Sequence, residues 1–214
     1  DVNISDRKSK AESKSLIEVD ISSGEIKNHF ALPKLLRDDL WMINQHFFSA
    51  TNINDSIWVY SYDLSDSLYL YTLGSDLPVG KSASSLYHNE LKAWGRMDSN
   101  SPEAYKYYLA NTSYFTVIYD PWRNFIYRLV QHPNESAIVE EDLDKMWDRE
   151  FSLMVLDMNM HVLSERRFKK DEGILRIPLV DSAGFWMAYS DSETREIEGV
   201  VKFIKIDFQD IDEL

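Results

Sequence analysis

Apolar and aromatic residues fall along this chain in short unbroken runs separated by polar turns. Ile57, Trp58, Val59, Tyr60 and Tyr62 form one such run, and Phe115, Thr116, Val117, Ile118 and Tyr119 form another. The residues are almost all β-branched or aromatic, which predicts strands. A half-exposed strand would alternate apolar with polar positions, whereas near-continuous runs predict strands whose two faces are both covered.

The runs share a punctuation. Val19-Asp20, Tyr62-Asp63, Tyr119-Asp120, Leu156-Asp157 and Ile206-Asp207 each close an apolar strand with aspartate, at successive intervals of 43, 57, 37 and 50 residues. After the first four, a short turn leads into a second strand, as in IWVYSYD-LSDS-LYLYTL, FTVIYD-PWRN-FIYRLV and FSLMVLD-MNMH-VLSERRF. A short carboxylate can accept hydrogen bonds from backbone NH groups two and three residues on, so these aspartates are expected to stabilise hairpin turns rather than catalyse. The intervals scatter about the length of a four-stranded propeller blade, roughly 40 to 50 residues. They predict an all-β fold: a β-propeller or partial propeller of four-stranded antiparallel blades, each hairpin marking a radial sheet.

Helical signals are few. Ser101-Pro102-Glu103 places an N-cap before proline at the first helical position, so Ala104 to Ala110 is predicted to be helical. Pro33 to Trp41, Ser84 to Trp94 and Glu140 to Trp147 are weaker candidates. All are expected as short insertions between strands.

The hairpin Tyr119-Asp120-Pro-Trp-Arg123-Asn124, continuing to Tyr127-Arg128, and the downstream Asp148-Arg149, Phe151-Ser152 and Asp157 resemble a family of uncharacterised propeller-type lipoproteins of Bacteroidetes. The resemblance spans about residues 40 to 208. It implies a six- or seven-bladed propeller tethered to the cell envelope through a lipidated N-terminal cysteine. It also implies a longer full-length protein, with this chain as its C-terminal blades.

Composition narrows the function classes. Of the 214 residues, 44% are hydrophobic and 13% aromatic, enough for an ordered domain over 16–214. Residues 1–15 are charged and poor in apolar side chains, which predicts a solvated leader or loop, and a start at Asp1 rather than Met suggests a processed or trimmed product. A formal net charge of -13 disfavours nucleic acid and anionic membranes as partners. The chain has no cysteine, so disulfides and thiolate metal sites are excluded. No apolar run is long enough to cross a bilayer as a helix, so this segment is not expected to insert into a membrane.

Candidate chemistry is sparse. The stretch Gly74 to Ser82 resembles a phosphate-binding loop, but it has five residues between its glycines where four are needed, and Pro78 removes a donor. His29, His46, His88, His132 and His161 show no metal-ligand spacing, and no cofactor motif is present. Glu140, Glu141, Asp142, Asp144, Asp148 and Glu150 could supply paired carboxylates for glycoside hydrolysis, although such a run usually marks a solvated face. Trp122 differs from the other tryptophans because it sits in a turn beside Arg123, where it could stack on a sugar ring or grip a carboxylate.

The leading expectation is therefore a non-catalytic binding or scaffold protein of the bacterial cell envelope. Its loops would present Trp122, Arg123, Arg128, Trp147 and Arg149 to a glycan or a protein. The alternative is a carbohydrate-active enzyme using paired carboxylates. A third reading has open blade edges pairing with missing blades or a second copy.

Overall fold

The computed structural model describes residues 14–31, 48–75, 78–89, 101–134, 149–169, 172, 174–189 and 201–207. The described part is built from antiparallel sheets in which strands follow one another in chain order. A two-stranded ribbon pairs β1 (Lys14–Val19) with β2 (Ile26–Ala31). The next sheet is four-stranded: β3 (Phe48–Asn54), β4 (Ile57–Tyr62), β5 (Ser67–Thr72) and β6 (Val79–Ser82). Another four-stranded sheet holds β7 (Ser113–Asp120), β8 (Phe125–Gln131), β9 (Phe151–Leu156) and β10 (Val162–Phe168). A three-stranded sheet, β11 (Ile174–Asp181), β12 (Gly184–Tyr189) and β13 (Lys202–Ile206), completes the described chain.

The β7–β10 sheet is covered on both faces, as the unbroken apolar runs predict. Along β8 and β9 the side chains alternate between two cores. Ile126, Val130, Met154 and Leu156 pack with Val59 and Leu68 of the preceding sheet and with Ala83, just after β6. Tyr127, Leu129, Leu153 and Val155 pack with Phe185, Met187 and Ile206 of the following one. Every residue of β9 is buried. Each fully buried aliphatic or aromatic side chain of this kind contributes about 1.5–3 kcal/mol of transfer free energy, so the middle sheet is the anchor of the fold.

Strand β7 ends its own sheet, and its outward NH groups are capped from β3. Val117 N donates to Ser49 Oγ at 3.0 Å and Tyr119 N to Thr51 Oγ1 at 3.1 Å. Hydroxyls on one sheet thus satisfy the edge of the next, which removes a site for unwanted strand pairing.

The predicted helix is present as α1 (Pro102–Ala110). Ser101 accepts from Ala104 N, and Asn111 ends the helix in an extended conformation. Of the weaker candidate at 84–94, residues 84–89 form a turn instead, in which Ser85 Oγ accepts Tyr87 N at 3.1 Å and Ser85 O accepts His88 N at 3.1 Å, and residues 90–94 lie outside the described residues. A serine that offers both acceptors to the residues just after it favours a turn over helix propagation. The candidates at 33–41 and 140–147 lie outside the described residues, as does most of the leader at 1–15.

All four hairpins read from the aspartate spacing form, but the hairpins do not mark one sheet each. Asp120 and Asp157 end β7 and β9 of a single sheet. A four-strand meander contains three reversals, and any of them can carry such a turn, so the spacing of aspartates is not a sheet length.

A candidate binding surface at the Trp122 turn

Asp120 builds the β7–β8 turn from the inside. Its buried carboxylate accepts Trp122 N at 2.9 Å and Arg123 N at 3.1 Å on Oδ1. Oδ2 accepts Arg123 Nη1 at 2.8 Å and the Tyr127 hydroxyl at 3.0 Å. Burial, then the adjacent carboxylate, pushes the Tyr127 phenol well above its ordinary range, so it stays a hydrogen-bond donor. Asn124 closes the turn at φ 55°, a left-handed conformation that asparagine tolerates better than most residues. Its Oδ1 accepts the Tyr119 hydroxyl at 3.2 Å.

Arg123 ties this turn to the next sheet. Nη1 donates to Asp181 O at 3.2 Å and Nη2 to Ser182 O at 3.0 Å. Asp181 repeats the aspartate motif with a shorter turn: its Oδ1 accepts Ala183 N at 2.8 Å, Gly184 N at 2.9 Å and Trp186 Nε1 at 3.0 Å. These bonds, the indole NH foremost, hold its carboxyl below the ordinary range. The motif at Asp181 is hard to see in the sequence because it leaves fewer residues before the next strand than the other hairpins do. Between these anchors Trp122 remains 54% exposed.

The other predicted contact residues do not join it. Arg128 is fully buried. Nε donates to Ser61 Oγ at 3.0 Å, Nη1 to Asp66 O at 2.7 Å and Ala83 O at 3.0 Å, and Nη2 to Ser65 O at 2.6 Å and Ser67 O at 3.3 Å. Burial draws its pKa down to about 10, which leaves it charged at neutral pH. Arg149 is 4% exposed and donates to His132 O at 2.6 Å, to Tyr108 O at 3.1 Å and to Asn111 O. Both guanidinium groups gather backbone carbonyls inside the protein and are not presented at the surface, contrary to the sequence expectation. Trp147 lies outside the described residues. Phe151 pairs with Gln131, so Arg149 sits at the opposite end of β8 from Trp122, roughly 20 Å away at about 3.3 Å per residue.

The remaining aspartates divide. Asp20 Oδ1 accepts Ser22 N at 2.8 Å and Ser23 N at 2.9 Å, and Asp157 Oδ1 accepts Asn159 N and His161 N, each at 2.8 Å, as expected of turn aspartates. Asp63 instead accepts the Ser113 hydroxyl at the start of β7. Asp207 follows β13, and the residues beyond it lie outside the described part.

Several of the remaining candidate groups are held by partners within the chain. Lys81, in the loop resembling a phosphate site, lies on β6 and donates to Asn159 O at 2.6 Å, with His161 Nε2 at 2.8 Å. Glu150 pairs with Arg167 at 2.6 Å. Glu165, not singled out in the sequence, is 2% exposed and accepts Ser85 Oγ at 2.6 Å and Leu86 N at 2.8 Å. Residues 140–144 and Asp148 lie outside the described residues. Among the described residues no group of three or more His, Cys, Asp or Glu is placed to hold a metal ion, and no helix is long and apolar enough to cross a membrane.

No protein-family profile matches the chain, and no curated protein matches it. Its fold is similar to the 1.75 Å crystal structure of a member of the DUF4221 family from Bacteroides vulgatus ATCC 8482, with a TM-score of 0.73 and 18% sequence identity. The match covers 94% of this chain and 57% of that one, so the chain spans a little over half the length of that protein. At this identity the likeness speaks for the fold.

Proposed function

We propose that the chain is part of a bacterial envelope protein, a β-propeller that binds a ligand without transforming it and engages that ligand through the turn carrying Trp122. Support for the propeller is the face-to-face succession of sheets with β3 capping the edge of β7, and Arg123 reaching from the β7–β8 turn to the β11–β12 turn. The envelope location, with a lipid anchor on the full-length protein, follows from the sequence resemblance, and the similarity to a Bacteroides protein is in keeping with it.

The observation that carries the binding reading is the pairing of exposure with rigidity at Trp122. A tryptophan 54% exposed is costly to leave in water, yet its turn is fixed by a buried carboxylate with four donors. A turn fixed in advance loses little backbone entropy on contact, which is what a binding anchor requires. The experiment is retention of solubilised Bacteroides envelope fractions, polysaccharide and protein separately, on the immobilised full chain and on Trp122→Ala. The expected result is retention of a fraction by the wild type and its loss in the variant. Equal retention by both, or turnover of a retained glycan by the wild type, overturns the reading.

A further inference from the structure

Three hairpin turns meet at the Trp122 end. The bonds from Val117 to Ser49 and from Tyr119 to Thr51 run in step, so β3 and β7 end on the same side and the β3–β4 turn lies at the same end as the β7–β8 turn. The bond from Arg123 to Ser182 O brings the β11–β12 turn alongside from the other side. The surface so formed carries Asn52, Asn54, Asp55, Trp122, Asn124 and Ser182, all exposed.

Its chemistry is specific in what it offers. The Arg123 guanidinium is paired with Asp120 and bonded to two backbone carbonyls, so it is not left as an anion site. Asp55 is the one acid among the six, and the whole chain carries a net charge of -13, so an anionic ligand is repelled. Two amides of this surface are engaged through their oxygens. Asn54 Oδ1 accepts Ser56 N at 2.9 Å, and Asn124 Oδ1 accepts the Tyr119 hydroxyl at 3.2 Å. With each oxygen engaged, each NH2 group keeps its two donors, and no bond to an acceptor among the described residues uses them. An exposed indole face flanked by amide donors and a serine hydroxyl, without a free cation, matches a ring that has an apolar CH face and a rim of neutral hydroxyl groups.

On the reading of the Trp122 turn as a binding element, we infer that this end takes an uncharged carbohydrate. The pyranose face stacks on the Trp122 indole, and its hydroxyls accept from the Asn124 and Asn54 NH2 groups. Arg123, although beside Trp122, positions the turn and does not touch the sugar.

The test is a glycan array of neutral and of uronate- or sialate-bearing glycans, applied to the full chain. Calorimetric titration of the best neutral glycan follows, on wild type, Trp122→Ala and Asn124→Gly. Glycine adopts the φ of 55° at position 124 without strain, so that variant removes the side chain and keeps the turn. Neutral glycans are expected to bind, with affinity falling at least tenfold in Trp122→Ala and severalfold in Asn124→Gly at an unchanged unfolding midpoint. No neutral glycan bound, preference for the acidic set, or full affinity in Trp122→Ala overturns the inference. If the array is silent while Trp122-dependent retention of an envelope protein persists, the carbohydrate inference fails and the binding reading stands. If Trp122→Ala retains every ligand the wild type retains, both fail.

Discussion

The Arg128 guanidinium lies over the Tyr114 ring, 3.8 Å from its centroid, with both residues fully buried between the β3–β6 and β7–β10 sheets. The cation is held by the ring face and by carbonyls of Ser65, Asp66, Ser67 and Ala83, so removing it strands several acceptors at once. Arg128→Met is expected to cost about 3–5 kcal/mol in urea denaturation. Lysine should restore little, because a point donor cannot serve a planar set of acceptors. A loss below about 1 kcal/mol would remove Arg128 from the account of how the sheets join.

Asp120→Asn separates the two tasks of that carboxylate. The amide oxygen can still accept Trp122 N and Arg123 N, but the amide nitrogen meets Arg123 Nη1, which is also a donor. Thermal unfolding should show a loss of about 1–3 kcal/mol. Binding through Trp122 should weaken by less than it does in Asp120→Ala, which abolishes the turn bonds as well.

His132 sets an acid limit on stability. It is buried, its Nε2 lies 2.6 Å from Ser152 Oγ, and burial, then Arg167 and Arg149, pulls its pKa down to about 3 from 6.5. The folded state therefore refuses a proton that the unfolded chain takes up below pH 6.5. From this group, stability falls as pH drops from 6.5 toward 3, by up to roughly 1.4 kcal/mol per pH unit. In His132→Gln the slope of stability against pH over that window should be shallower by about one proton. An unchanged slope would mean that the histidine protonates in place.

Asp63 acts with the opposite sign. Desolvation raises its carboxyl above 3.8, against the hydrogen bond from Ser113 and the charge of Arg149. A raised acid contributes stability while protonated and loses it as pH rises through the folded pKa. Asp63→Asn, whose amide oxygen can still accept the Ser113 hydroxyl, should thus raise the urea midpoint at pH 7. The gain should vanish below about pH 4, where both states of the wild type are protonated. A destabilised variant at pH 7 would show that the charge at this position is favourable.

The hairpins were legible because their cause is local. Asp20, Asp120 and Asp157 each bond to backbone NH groups within four residues, and a turn of that kind is written in adjacent letters. Partition into sheets was not legible, because whether β8 pairs with β9 depends on a connection between residues 131 and 151 that carries no local signal. The roles of Arg128 and Arg149 were hidden for the same reason: their acceptors lie 45 to 67 and 17 to 41 residues away, on other elements. One clue was present. Arg128 stands inside FIYRLV, a strand apolar on both faces, and a charge in such a strand has nowhere to point but into the interior. Trp122 was readable because turns leave little to bury an indole against.

The most direct measurement sets stability against binding for Trp122→Ala, with Arg128→Met alongside. The account predicts that Trp122→Ala unfolds within about 0.5 kcal/mol of the wild type yet loses the ligand. Arg128→Met should lose stability at the same urea concentrations where Trp122→Ala holds. A Trp122→Ala variant that unfolds as early as Arg128→Met, or that binds as the wild type does, would contradict it.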